Sequence, residues 1–247
     1  MLPQLLKSLL PQQPLVRVAL LASSGAAALL VGRKLYLWGQ VLMLTILCGK
    51  ADRALYKRKR LLFQRLLDRA EELGRPMEIL ELGSGTGVNF KYLPSGARLT
   101  ALDPLSEARG IFTRAASKET GVTLAACVTG FAEDLSCFPD ESFDAVFCTL
   151  TMCTVWDLDR MLKEVRRVLR PGGLFLFMDH TLSDRPLVRA VQYAVTPLWY
   201  FFGHGCHFRL PQRHVTKAGF SKCEISEFDG ALKMTLLRRM VDGCATK

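Results

Sequence analysis

No acidic residue precedes Asp52 in this 247-residue chain. The opening segment is therefore apolar and basic only. Its two uncharged runs, Val18–Val31 and Leu35–Gly49, both fall short of the ~20 apolar residues that a simple membrane-spanning helix needs. Arg33-Lys34 separates them, and joining the runs would place two cations in hydrocarbon. The eight cysteines, at 48, 127, 137, 148, 153, 206, 223 and 244, lack the density of a small disulfide framework. They argue against secretion and are read as reduced thiols of a cytosolic or other reducing compartment. There is no internal repeat and no low-complexity tract. With 49% hydrophobic and 23% charged residues, a disordered chain is excluded. A nucleic-acid-binding face is also missing from most of the chain. Residues 76–247 carry 20 Lys/Arg against 19 Asp/Glu, whereas residues 1–75 carry 13 against 4.

The basic excess thus belongs to the N-terminal third. Lys50, Arg53, Lys57, Arg58, Lys59 and Arg60 follow the second apolar run and read as a lipid-facing collar on the cytosolic side. Leu55, Leu61, Leu62, Leu66 and Leu67 give the same segment an apolar helical stripe. Residues 1–50 are expected to be a hydrophobic membrane anchor, monotopic or hairpin-like, with residues 51–75 a basic amphipathic linker helix. A signal peptide, an acid-free mitochondrial presequence and a buried helix pair of a soluble protein are the other readings.

From residue 76 the pattern alternates between strand and helix. Strands are expected at Met77–Leu82, Arg98–Asp103, Val122–Val128, Phe143–Leu150 and Leu174–Met178, with last strands at Cys223–Phe228 and Met234–Met240. Helices are expected at Leu105–Ser117, Leu158–Leu169 (stopped by Pro171-Gly172-Gly173) and Arg185–Phe202, the last interrupted by Pro197. The expected fold class is α/β, a doubly wound, mostly parallel sheet over residues 76–247. The strongest local signal is Glu81-Leu82-Gly83-Ser84-Gly85-Thr86-Gly87 after the first strand. Glycines allow a tight turn and close backbone approach to a ligand, and the following N–H groups face that ligand. The spacing is neither the pyrophosphate-binding GxGxxG nor a P-loop. Asp103, ending the second strand, can accept both hydroxyls of an adenosine ribose.

These residues, with Phe131-Ala132-Glu133-Asp134-Leu135, Phe138-Pro139-Asp140-Glu141-Ser142-Phe143-Asp144 and Glu164-Val165-Arg166-Arg167-Val168-Leu169-Arg170-Pro171-Gly172-Gly173, resemble the class I S-adenosylmethionine-dependent methyltransferases. The resemblance implies a seven-stranded Rossmann-like sheet whose last strand is antiparallel, and S-adenosyl-L-methionine as cofactor. It places Glu81, Gly83, Ser84, Gly85 and Gly87 at the methionine end, Asp103 on the ribose, Ala132 and Glu133 beside the adenine, and Cys148 to Leu150 facing the substrate. Cys148-Thr149-Leu150-Thr151-Met152-Cys153, Asp179-His180, Pro197-Leu198-Trp199 and Gly203-His204-Gly205-Cys206 look like the membrane-anchored methyltransferase-like family of thiol S-methyltransferases, which has an acid where this chain has His204. That likeness implies an anchor on endoplasmic reticulum or lipid droplets, a cytosolic catalytic domain and a small lipophilic thiol as acceptor.

Methyl transfer from a sulfonium needs mainly orientation and exclusion of water. A thiol acceptor of pKa ~8.5 must also ionise. His180 and Asp179, at the carboxyl edge of the sheet, are the candidate catalytic pair, with His180 as a base near neutral pH. His204 and His207 are weaker candidates. Cys206 between them, with His214 nearby, lacks the spacing of a zinc site, so no metal is expected. Cys148 and Cys153, which could suggest arsenic methylation, are read as small buried hydrophobes. Tyr193, Trp199, Tyr200, Phe201 and Phe202 are expected to form an acceptor lid, a membrane-interface belt or ordinary packing on the sheet. The competing functions are a C- or O-methyltransferase of a quinone or other lipid, mitochondrial if the N-terminus is a presequence, and a non-catalytic membrane or lipid-droplet scaffold. The charge balance and the lack of a D/N-P-P-Y-like sequence after the fourth strand argue against nucleic-acid and amino-group methylation.

Overall fold

The structure, a computed structural model, describes residues 14–119, 121–202, 205–232 and 234–247. They divide into two units, Met1–Met43 and Leu44–Lys247. Helix α1 runs over Pro14–Leu73. Within the first unit its backbone stays helical through Arg33-Lys34, so there is no hairpin turn between the apolar runs. Leu29, Leu30, Val31, Leu35, Trp38 and Leu42 are exposed. By length and composition alone, Ala27–Leu73 is a helix able to cross a membrane.

The second unit is built on seven strands: β1 (Glu78–Leu82), β2 (Arg98–Asp103), β3 (Thr123–Thr129), β4 (Phe143–Thr149), β5 (Leu169–His180), β6 (Lys222–Asp229) and β7 (Arg239–Thr246). Their order is β3-β2-β1-β4-β5-β7-β6. Pairings among β1 to β5 are parallel, and β7 runs antiparallel to both β5 and β6. Between them lie α2 (Arg109–Ala116), α3 (Leu158–Val168), α4 (Pro186–Phe202) and α5 (Pro211–Lys217). This is the doubly wound, seven-stranded Rossmann-like sheet expected.

Side-chain alternation explains the layers. Leu80, Leu82, Leu102, Val146, Cys148, Phe175 and Phe177 point to one face, where Leu158, Met161, Leu162 and Val165 of α3 cover them. Ile79, Leu99, Ala101, Ala145, Phe147, Leu176 and Met178 point to the other, covered by Leu55, Leu62, Phe63 and Leu66 of α1. Most of the leucine stripe is thus a core face; Leu61 remains exposed. Asp157 caps α3 by accepting the Arg160 N–H at 3.0 Å.

Several boundaries differ from expectation. The last strand is Arg239–Thr246, not Met234–Met240. Met234 is exposed and Thr235–Leu237 forms a single 3-10 turn, whereas Met240, Val241 and Ala245 supply the buried positions. Pro197 does not break α4. β5 starts at Leu169 and takes in Pro171-Gly172-Gly173 through a register shift against β4.

Candidate active site

The turn after β1 is bent by glycines with positive φ. Gly83 has φ +68° and donates its N–H to the Leu102 carbonyl at 2.8 Å. A Cβ there would overlap the Thr151 side chain, so two chain segments meet where only glycine fits. Gly85 donates its N–H to Asp103 Oδ2 and Leu105 donates to Oδ1, both at 2.8 Å. Asp103 therefore ties the glycine turn to the end of β2. Burial raises its carboxyl, partly offset by these two donors. Ser84, Gly85, Asp103, Leu105, Arg109 and Phe112 line a pocket here.

Glu81 sits beneath the turn and is 1% exposed. Its Oε1 accepts from Asn89 Nδ2 at 2.7 Å, while its buried Oε2 has no partner. Burial pushes its carboxyl up to about 8, against the pull of Asn89 and Lys59. Asn89 Oδ1 accepts in turn from Lys59 Nζ at 2.7 Å, and Lys59 pairs with Asp52 at 3.0 Å. Lys91 at 2.6 Å and Tyr92 Oη at 3.0 Å also donate to Asp52. Sequence reading missed this relay. Lys59 looked like one cation of a surface run, but it is 2% exposed and wired to Glu81. Arg58 likewise turns inward to Asp242. Lys50, Arg53, Lys57 and Arg60 keep the exposed role expected of the collar.

Ala132 is buried. Glu133 Oε1 accepts from the Trp156 N–H at 2.6 Å and the Asp157 N–H at 3.3 Å. Cys148 is a core side chain, as expected, and its thiol is raised by burial. Leu150, just after β4, has φ +56°, a conformation that costs a non-glycine residue about 1–2 kcal/mol. Its N–H bonds the Met178 carbonyl at 2.7 Å, which holds the bend in place.

Beside β4, Asp179 and His180 end β5. Asp179 is fully buried; its Oδ2 accepts the Cys153 N–H at 3.0 Å and its Oδ1 the His180 N–H at 2.8 Å. The His180 ring does not stack its Nε2 on this carboxylate, which lies 3.8 Å off. Nε2 instead meets Cys206 Sγ at 2.9 Å. Cys153 belongs to the same cluster, so it is more than the core filler expected. Burial works against the charged imidazole, but Cys206 and Asp179 outweigh it and raise His180. The Cys153 thiol, His180 and Trp199 bring Cys206 well below a free thiol against the opposing effect of burial. The Asp179–His180 pair expected from the sequence is thus joined by a sulfur, Cys206.

The remaining sequence candidates lie elsewhere. His204 and the side chains of Phe201 and Phe202 are outside the described residues. His207 packs on Tyr200, with ring centroids 4.9 Å apart, and its Nδ1 takes a bond from Arg209. His214 pairs with Asp159 at 2.7 Å on the surface and joins no cluster. Trp199 packs on Phe208, whereas Tyr193 and Tyr200 are exposed.

The geometry can be set beside known proteins. Residues 80–177 match the family model described as a methyltransferase domain. The chain is 33% identical over 192 residues to thiol S-methyltransferase TMT1A of Homo sapiens, covering 77% of this chain and 78% of that one. The chain belongs to that family, among the class I S-adenosylmethionine-dependent methyltransferases. Thiol S-methyltransferase TMT1B of Homo sapiens is 31% identical over 83% of this chain and 84% of its own. An S-adenosylmethionine-dependent methyltransferase from Mesorhizobium loti shares the fold, with TM-score 0.57, 20% identity and coverage of 78% and 98%.

The methyl donor is S-adenosylmethionine, which supplies an already activated methyl group. The site fits it in kind. A buried, unpartnered carboxyl oxygen on Glu81 suits an ammonium group, and Ser84, Gly85 and Asp103 line a pocket at the turn.

Proposed function

We propose that this methyltransferase acts on small lipophilic thiols at the surface of the endoplasmic reticulum or of lipid droplets, with its catalytic unit in the cytosol. The observation that carries the acceptor class is the Asp179–His180–Cys206 set at the carboxyl edge of the sheet. A thiol needs little beyond ionisation and alignment, and a polarised sulfur–imidazole pair answers that need without a strong base. The thiol-methylating relatives, matched over about three quarters of the chain, support the same class.

In this reading Glu81, Gly83, Ser84, Gly85 and Gly87 hold the methionine end of the donor, Asp103 its ribose, and Ala132 and Glu133 flank the adenine. Cys148 and Leu150 shape the floor under the transferred methyl group. His180, with Asp179 behind it, controls the acceptor's proton.

Residues 1–50 serve as the anchor, residues 51–75 as the basic linker and residues 76–247 as the catalytic part. Exposed Leu29, Leu35, Trp38 and Leu42 with Lys50, Arg53 and Lys57 support a lipid-facing role. Exposed Leu187, Leu198 and Tyr200 on α4 add a second apolar face.

The test is donor-dependent methylation by membranes expressing the full chain, offered a small alkyl thiol and a quinol in parallel, with Asp103→Ala as control. Thiol methylation abolished in the control is the expected result. Methylation of the quinol alone would overturn the acceptor class and move the protein to lipid biosynthesis.

A further inference from the structure

Cys153, His180 and Cys206 come from three separate segments: the loop after β4, the end of β5 and the loop after α4. Their two sulfurs and one imidazole nitrogen all lie within 4.8 Å of one another. Three ligands around one tetrahedral zinc ion would stand about 3.5–3.8 Å apart, given metal–sulfur and metal–nitrogen bonds of about 2.3 and 2.0–2.1 Å. Movements of about an ångström convert one geometry into the other. All three residues are buried, between 4% and 6% exposed.

The surroundings are those of a metal centre. Asp179 Oδ1 lies 3.8 Å from His180 Nε2, but both its oxygens are already taken by the N–H groups of Cys153 and His180. It acts from the outer shell and fixes the backbone of two ligands. The third ligand loop is pinned too. His207 donates its N–H to the Cys153 carbonyl at 2.8 Å, and Arg209 donates to the Cys153 and Val155 carbonyls. The rings of Phe208 and Trp199 wall the cluster, Phe208 lying 5.4 Å from the His180 ring. His180 Nδ1 is buried without a partner among the described residues, and Nε2 carries the ring's contact with Cys206. Sulfur and imidazole donors select zinc over magnesium or calcium.

We propose that Cys153, His180 and Cys206 bind a zinc ion through three protein ligands and leave its fourth position for the acceptor's sulfur. This last step rests on the thiol reading above; the metal site does not. The acceptor binds as a thiolate and releases its proton to water, since a thiol coordinated to zinc is deprotonated. Its sulfur forms the new carbon–sulfur bond to the donor's methyl carbon. The methyl–sulfonium bond breaks, and its electron pair stays on the departing, now neutral, sulfide. The product thioether carries no charge and is a poorer ligand than the thiolate, so it leaves. His180 then acts on the acceptor only as a ligand of the metal, with Asp179 accepting its backbone N–H.

Metal content of the full-length chain, purified in detergent, decides the matter. About one zinc per chain is expected by mass spectrometry, falling at least tenfold in Cys153→Ser/Cys206→Ser. Calorimetric binding of S-adenosylmethionine shows whether that variant is folded. Independently of any variant, cobalt added to the stripped wild-type chain should give a sulfur-to-metal charge-transfer band that zinc abolishes. Asp179→Asn should weaken zinc binding about 10–100-fold in a chelator competition. Wild-type zinc no higher than in the double variant, together with no cobalt band, would overturn the site. Thiol methylation by a chain that binds no metal would sink the metal and leave the acceptor class standing. Zinc bound without thiol methylation would retain the site and remove the acceptor step.

Discussion

Replacing Lys59 by Met tests whether α1 is structurally part of the donor site. The ammonium group is 2% exposed and sits between Asp52, at 3.0 Å, and Asn89, at 2.7 Å. Methionine keeps most of the volume and flexibility, so packing changes little. Removing one partner of a buried ion pair costs about 3–5 kcal/mol. Asp52 retains Lys91 and Tyr92, which places this case at the lower end, about 3 kcal/mol. For a unit of this size that corresponds to a fall in Tm of roughly 6–12 °C. Thermal unfolding of the full chain in detergent, followed by intrinsic fluorescence, measures it. Arg65→Met is the control, because Arg65, on the same helix as Lys59, forms an exposed pair with Glu224 of β6 and such pairs contribute about 1 kcal/mol or less. A Tm for Lys59→Met within about 3 °C of wild type, or equal to that of Arg65→Met, would refute the relay.

Three further outcomes follow from the site. Asp103→Asn removes the anionic acceptor of the Gly85 and Leu105 N–H groups. Donor affinity should fall about 10–100-fold by calorimetry, and an unchanged Kd would remove Asp103 from the donor site. The Glu81 carboxyl is pushed up to about 8 by burial, from an ordinary 4.5. The stability it lends is present below about 4.5 and drains away as pH rises toward 8, because the unfolded chain ionises first. Glu81→Gln escapes that loss, so the Tm of donor-free variant minus wild type should grow from pH 5 to pH 8; a constant difference refutes the assignment. Gly83→Ala meets the Thr151 side chain and a positive φ together. It should abolish donor binding, and adding Thr151→Gly should restore part of it, the backbone strain of about 1–2 kcal/mol remaining; no recovery at all would mean that the contact with Thr151 is not the obstacle.

What could be read from the sequence depended on how local each feature is. Glu81, the glycine turn and Asp103 lie within two consecutive strands, and their residue types name their task. The alternation that marks β1, β2, β4 and β5 is likewise local. The last strand was misplaced because apolar Met234, Leu236 and Leu237 imitate a strand, yet they fall in an exposed turn. The true β7 contains Asp242 and Gly243, which weaken its pattern; Asp242 is buried only because Arg58 neutralises it. Lys59 hid within a basic run for the same reason. Charge counting sees six similar cations, and only the fold shows which of them has a buried acid to meet.

The two halves of the site also divide along the sheet. The order β3-β2-β1-β4-β5 reverses direction between β1 and β4, so the ligand crevice opens at that point. On the β1–β2 side the groups come from one strand-turn-strand stretch, which accounts for Gly85 N–H reaching Asp103 in a single short step. On the β4–β5 side they come from the ends of two strands and a returning loop: Cys153 after β4, Asp179 and His180 at the end of β5, and Cys206 between α4 and α5. Cys206 stands 26 residues from the imidazole it touches. No spacing rule links such positions, and grouping Cys206 with His207 and His214 by nearness in sequence misses its contact with His180. In this chain two loops bring the sulfurs of Cys153 and Cys206 onto an imidazole at the end of β5, so the soft side chains gather on the β4–β5 side of the sheet.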